Sequence, residues 1–186
     1  LTILELLKDD SEDYVYRSVA NNLNDISKSH PELVIQTCQR WIENPTDNTF
    51  WVVKHALRTL LKKGDSDALK LIGINQTNQL QILEFKTINK SVKFGGSTQL
   101  KVELKNNGNT NKFRIEYVVS YLKSNRKHSP KVFQIKECEI KNNETVKIDK
   151  KLDFKELTTR KHDKGEHYVS LKINGVESEK ISFTLI

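Results

Sequence analysis

Arg17, Asn21 and Asp25 stand four residues apart, so a helix wound at about 100° per residue sets a cation, an amide and a carboxylate along one face. Such a column could grip an anion. A guanidinium neutralises phosphate, an amide donates to phosphate or a base edge, and a carboxylate among donors could stabilise a developing cation or orient a water. On the same winding Asn24 and Lys28 join the polar face and Tyr14 stands close by. Val15, Val19, Leu23 and Ile26 form the apolar side, with Tyr16 at its margin. Asn21, Asn22 and Asn24 crowd this helix, although Asn weakens helix interiors by competing for backbone hydrogen bonds. Something else should compensate. For Asp25 the plain local alternative is an i,i+3 link to Lys28, which stabilises by roughly 0.2–0.5 kcal/mol.

A second segment carries related chemistry. Between Phe50 and Lys63, Val53, Ala56, Leu57 and Leu60 share an apolar face, leaving Trp51, His55, Arg58 and Lys62 as a stripe flanked by Lys54. Superposing the chain on itself at a shift of 37 pairs Val15 with Val52, Leu23 with Leu60, Val34 with Leu71 and Ile35 with Ile72. That period falls in the range of HEAT and tetratricopeptide repeats, whose helical units bury one face on their neighbours and curve into a concave surface. The same shift sets Tyr14 on Trp51, Arg17 on Lys54 and Asn21 on Arg58. Both helices would then present an aromatic residue followed by polar groups along one wall suited to a polyanion, with Trp51 as a stacking face.

The elements that must position these residues are helices over the first 73 positions. Ser29, Pro31 and Glu32 predict a capping-box start, and Asn44-Pro45 a stop. Thr46 to Thr49 offers caps for one long helix from Phe50 to Lys63, ended by Gly64, and Asp65 or Ser66 opens a short helix ending at Gly73. From about Leu80 the apolar period changes to 2: Leu100, Val102, Leu104; Phe113, Ile115, Tyr117, Val119, Tyr121; Val146, Ile148; Val169, Leu171, Ile173; Ile181, Phe183, Leu185. Turn signals at Asn106-Asn107-Gly108, Asn142-Asn143 and Asn174-Gly175 separate these sets, and seven or eight short strands predict a β-sandwich. Neither Trp falls in this half and only Cys138 does, so it is immunoglobulin-like by layout, without the disulfide and tryptophan of a true immunoglobulin domain. The expected fold is a two-domain α + β chain: HEAT-like helical repeats in residues 1–75, then an immunoglobulin-like β-sandwich in residues 80–186.

Composition narrows the partners. The 186 residues carry a net charge of +7, divided as −2 over residues 1–80 and +9 over residues 81–186, which favours an anionic partner. No apolar run approaches the roughly 18 residues of a membrane span. Cys38 and Cys138 lie far apart with no CxxC, so neither a disulfide framework nor a zinc ribbon is indicated and a reducing, cytoplasmic setting is expected. There is no Met, and Leu1 sits in an amphipathic pattern with Ile3, Leu4 and Leu7, as expected of a stretch cut from a longer chain. Since about three repeats are needed for stability, more are expected ahead of it.

The run from Tyr14 to Lys28, with Ser18-Val19-Ala20-Asn21-Asn22-Leu23-Asn24-Asp25 at its centre, followed by His30-Pro31-Glu32-Leu33 and by Trp51 to Leu60, resembles the C-terminal helical repeats of AlkC-type DNA alkylation repair enzymes. These are 3-methyladenine DNA glycosylases built of HEAT-like repeats, some with an immunoglobulin-like domain after them. The resemblance implies hydrolysis of the N-glycosidic bond of a cationic alkylated adenine, which leaves readily, so that the enzyme chiefly stabilises an oxocarbenium-like sugar and places a water. By the same match Asp25 is the catalytic carboxylate, and Arg17, Asn21, Trp51, Lys54 and Arg58 hold the backbone around the lesion, with His55 and Lys62 in the same DNA-binding stripe. Tyr16 stands where the family usually has a second arginine. The implied partner is double-stranded DNA containing alkylated bases, bound by a monomer without metal, organic cofactor or membrane. The other class of reading is a non-catalytic repeat-plus-sandwich module that binds DNA or protein.

Two basic loops in the second half are further candidates for gripping a strand: Lys123, Arg126, Lys127, His128 and Lys131, and Arg160, Lys161, His162, Lys164 and His167. His162 and His167, separated by a glycine turn with no Cys nearby, make a poor metal pair.

Overall fold

The computed structural model describes residues 1–77, 79–155 and 162–186. The chain divides into two compact units, Leu1–Asn75 and Gln76–Ile186.

The first unit holds α1 (Thr2–Leu7), α2 (Asp13–Ile26), α3 (Pro31–Trp41), α4 (Asp47–Ala56), α5 (Arg58–Lys63) and α6 (Ser66–Leu71). α2 packs chiefly on α4, and Val19, Ala20, Leu23, Val34, Cys38, Val52, Val53, Ala56, Leu57 and Leu69 close the core. Thr46 caps α4 by accepting the Thr49 N–H at 3.1 Å, and Asp65 caps α6 by accepting the N–H groups of Asp67 and Ala68. Gly64 ends α5 at a φ of 86°, a left-handed conformation that other residues adopt at a cost. The Asp9 carboxylate accepts from the hydroxyls of both Thr46 and Thr49, joining the start of α4 to the loop before α2. Burial alone would raise the Asp9 pKa, but hydrogen bonds from Thr46, Thr49 and Lys8 together bring it down to about 2.

Two helix boundaries differ from the sequence reading. The capping box at Ser29 does not form: Ser29 lies in the turn that follows α2, where its N–H donates to the Ile26 carbonyl. His30 becomes the residue before α3, with no side-chain cap, and Pro31 alone starts that helix. The helix expected to run unbroken from Phe50 to Lys63 is jointed at Leu57, whose φ of −80° and ψ of −3° lie off the helical well.

The second unit is a sandwich of two sheets. One has the order β1 (Leu80–Thr87), β3 (Ser97–Asn106), β6 (Thr145–Asp153); the other has β2 (Ser91–Val92), β9 (Ile181–Leu185), β7 (Gly165–Ile173), β4 (Asn111–Leu122), β5 (His128–Ile140), with β8 (Val176–Glu177) pairing β7. The alternating sets of β3, β4, β7 and β9 meet in the core, where Leu100, Leu104, Phe113, Ile115, Val169, Leu171 and Phe183 are buried. Asn106, fully enclosed at the end of β3, donates to the carbonyls of Asn109, Ile140 and Lys141 and ties two turns together. On the opposite face of β4, Arg114 forks onto Glu116 at 2.7 Å and onto Glu137, an ion group almost wholly withdrawn from water. β5 was not among the alternating sets read from the sequence. It is an edge strand, with half-buried Phe133, Ile135 and Cys138 packed against the core.

The end of the sandwich is fixed by His167. Its fully buried imidazole accepts the Leu122 N–H on Nδ1 at 3.1 Å and donates from Nε2 to the Asp163 carbonyl at 2.9 Å. Burial pushes its pKa below 6.5, since a second proton on the ring would evict the Leu122 N–H. The unfolded imidazole titrates near 6.5, so the stability that the neutral ring contributes is complete above that pH and is lost as pH falls through the lower folded value. Chemical denaturation of residues 76–186 should therefore show a midpoint that drops as pH falls below 6.5. His167→Phe should flatten that drop and cost about 1–3 kcal/mol at pH 7.

Candidate nucleic-acid interface

α2 and α4 lie against each other, and the start of α5 is tied to α2 by hydrogen bonds of Arg58 with Asn21 and Thr59 with Asn24. The result gathers residues from both segments. Arg17 lies with its guanidinium carbon 4.8 Å from the centre of the Trp51 ring, within cation–π range. Tyr16 meets that ring edge-on at 5.2 Å, and His55 stacks on it at 3.6 Å with the planes 17° apart. Arg58 donates through Nη1 to the His55 carbonyl at 2.8 Å and through Nη2 to Asn21 Oδ1 at 3.0 Å. Asn21 and Arg58 are the two positions that the shift of 37 superposes, and here they touch.

The electrostatics follow from this crowding. Asp13 accepts from Arg17 Nε at 2.5 Å and from the Tyr16 hydroxyl, which holds its carboxyl below the usual range and pushes the Tyr16 phenol up. His55 is pushed below 6.5 first by burial, then by the charges of Arg58, Arg17 and Lys54, so at neutral pH the ring on Trp51 is uncharged. Asp25 is exposed and pairs with Lys28 at 2.6 Å. That hydrogen bond and the Lys28 charge, with a smaller contribution from Arg58, keep its carboxyl below the ordinary value and therefore ionised. The local i,i+3 pair is present, and Arg58 is near enough to be felt.

One sequence expectation changes in detail. Asn24 does not join the polar face: it is 3 % exposed, and its Oδ1 accepts the Thr59 N–H at 3.2 Å. The winding sets Asn24 one turn beyond the buried Ala20, and the packing of α2 against α4 and the start of α5 extends the buried surface over that side. The aromatic partner of Trp51 is Tyr16, while Tyr14 remains 69 % exposed. Trp51 is half-buried on the helical core and its ring is already engaged, so it serves as the plate that sets Arg17 and His55. Half-buried Lys54 and exposed Lys62 occupy α4 and the last turn of α5. Asp13 and Tyr16 were missed as participants; the i,i+4 spacing of Asp13 and Arg17 was the available signal.

In the second unit, Lys123, Arg126 and Lys127 form the β4–β5 turn, with Arg126 at a φ of 62° and the Lys123 N–H donating to the Lys127 carbonyl at 2.9 Å. His128 and Lys131 belong to β5. Arg160 and Lys161 lie outside the described residues. His162 and His167, expected on a basic loop, are instead buried among Tyr121, Phe154 and Phe183, where His167, with both ring nitrogens hydrogen-bonded, packs as an aromatic ring. Among the described residues no group of three or more His, Cys, Asp or Glu is placed to hold a metal ion, and no helix is long and apolar enough to cross a membrane.

Comparison with known proteins supplies the context. Residues 81–186 match the family described as the C-terminal Ig-like domain of uncharacterised protein YhaZ. The uncharacterized protein YhaZ of Bacillus subtilis (strain 168) is 41 % identical over 183 residues, which is 98 % of this chain and 51 % of that protein. The structure of the Pseudomonas fluorescens alkylpurine DNA glycosylase AlkC, bound to DNA containing an abasic site analog, matches with a TM-score of 0.94 and 34 % identity over 100 % of this chain and 52 % of that one. The AlkC-type resemblance thus runs the whole length of the chain, which spans about half the length of these relatives.

If the cations converge as described, the His55 imidazole should titrate below 6.5 by NMR, and Arg58→Ala or Arg17→Ala should move it upward. An unshifted wild-type His55 would mean that these groups are not gathered around Trp51.

Proposed function

The chain belongs to the YhaZ family through its C-terminal Ig-like domain, and from that premise we propose that it is part of a DNA repair glycosylase that excises cationic alkylated bases such as 3-methyladenine. The observation that carries the reading is the gathering of Arg17 and Asn21 of α2, Lys54 of α4 and Arg58 of α5 about the Trp51–His55 pair, with an ionised Asp25 on α2, in a chain that matches AlkC over all of its residues. In this reading residues 1–75 are HEAT-like repeats and residues 80–186 the immunoglobulin-like domain. The hydrogen bond between Asn21 and Arg58, one period apart, supports the repeat assignment, since stacked units bring equivalent positions together.

The chemistry assigned to the residues is modest in each case. Arg17, Asn21, Lys54, Arg58 and Lys62 neutralise or hydrogen-bond phosphates, while Trp51 and the uncharged His55 form the plate between them. Asp25, kept ionised by Lys28 and Arg58, stabilises positive charge developing on the sugar or orients the attacking water. The alkylated base is already a good leaving group, so no metal is required. The protein acts as a monomer in the cytoplasm on double-stranded DNA.

Charge reversal at Lys54 and Arg58 should reduce affinity for duplex DNA by tenfold or more at low salt, an effect that fades as salt screens the contacts. In a chain extended by the other half that its relatives carry, Asp25→Asn should lower release of methylated base by about 10²-fold or more while binding stays within a few-fold of wild type. Equal turnover would remove Asp25 from the mechanism, and no base release from the extended wild-type chain would favour a non-catalytic binding module.

A further inference from the structure

The joint at Leu57 divides one backbone hydrogen bond between two side chains. In a continuous helix the Thr59 N–H would donate to the His55 carbonyl four residues back. Here the Thr59 N–H donates to Asn24 Oδ1 at 3.2 Å, and the His55 carbonyl accepts Arg58 Nη1 at 2.8 Å. The ladder resumes two residues later, with the Leu61 N–H on the Leu57 carbonyl at 2.8 Å. A side chain inserted into the i→i−4 ladder is an established cause of a helix bend, and Asn24 sits where such an insertion must come from: on α2, buried, with its carbonyl directed at the joint.

We propose that Asn24 is a positioning residue for Arg58, holding the α4–α5 joint open so that the His55 carbonyl is free to anchor the guanidinium beside Asn21. The inference rests on the reading of this wall as a nucleic-acid surface. Without an acceptor at position 24, the half-buried Thr59 N–H regains its helical partner by closing onto His55, and Arg58 then loses one of its two anchors. An unanchored guanidinium samples many rotamers and binds a phosphate less well, because the ordering must then be supplied on binding. Asn24 needs no contact with DNA to have this effect. A residue important only for packing would lower stability without altering how Arg58 contributes.

The test pairs Asn24→Ala with Arg58→Ala in the full chain, using a short duplex bearing one abasic-site analogue as the probe between about 50 and 200 mM salt. Each single variant should lower the slope of log affinity against log salt by about one, and the double variant should bind no more weakly than Arg58→Ala alone. Independently of DNA, the NMR titration of His55 should move upward in Asn24→Ala as Arg58 leaves it. Losses that add, or a His55 titration that does not move, would overturn the proposal. Should Asn24→Ala fail to fold, Asn24→Asp keeps an acceptor for Thr59, and Arg58→Ala should then weaken binding as much in that background as in the wild type; a smaller effect would count equally against it. If the wild-type chain does not bind the duplex, the interface reading fails, while the His55 titration still decides the role of Asn24.

Discussion

Around Leu57 the helical hydrogen-bond ladder is interrupted, the Thr59 N–H and the His55 carbonyl take side-chain partners instead, and the arrangement of the candidate interface follows from that exchange. The Asn24 carbonyl satisfies the Thr59 N–H, the Arg58 guanidinium satisfies the His55 carbonyl, and the chain turns at Leu57 without leaving either group unpaired. A backbone group left unpaired away from water costs about 1–3 kcal/mol, and the bend avoids much of that cost because both halves of the broken bond find partners. This also accounts for an asparagine inside α2: its competition for backbone groups is directed at another helix.

Trp51 provides the second constraint. Its indole is too large to be wholly covered by two helices, and the part left at the surface is occupied by Tyr16, His55 and Arg17. Burial and three nearby cations keep the imidazole uncharged, so it stacks without adding to the positive charge already crowded there. Asp13 offsets part of that charge from one side and Asp25 stands ionised on the same helix. The site is therefore a cationic patch with its own internal counter-charges.

The sandwich solves a different problem, that of an interior strand buried on both faces. On the core side β4 carries Phe113, Ile115, Tyr117 and Val119; on the other side it carries Arg114 and Glu116, held as an ion group with Glu137. Removing Arg114 would take the shared counter-charge from two enclosed carboxylates, so breaking the group costs more than its net contribution. Equivalent logic at the sheet end makes two histidines, which look basic in sequence, into aromatic filling.

Periodicity alone determined a good deal of this protein. The change from a 3.6-residue to a 2-residue apolar repeat near Leu80 separates helices from strands, and the alternating residues of β3, β4, β7 and β9 are those that fill the core, because burial of one face is the term that orders both kinds of element. Caps at Thr46 and Asp65 and the left-handed Gly64 were equally legible, since their hydrogen bonds are local. What only the tertiary structure decided was every outcome that depends on a neighbouring element: that Asn24 faces inward, that the helix after Phe50 breaks at Leu57, that Tyr16 and not Tyr14 meets Trp51, and that His162 and His167 are enclosed. A helical wheel assigns a residue to a face, but the width of the stripe that becomes buried is set by the helix packed against it, and a side chain at its edge is claimed by whichever partner has an unsatisfied group there.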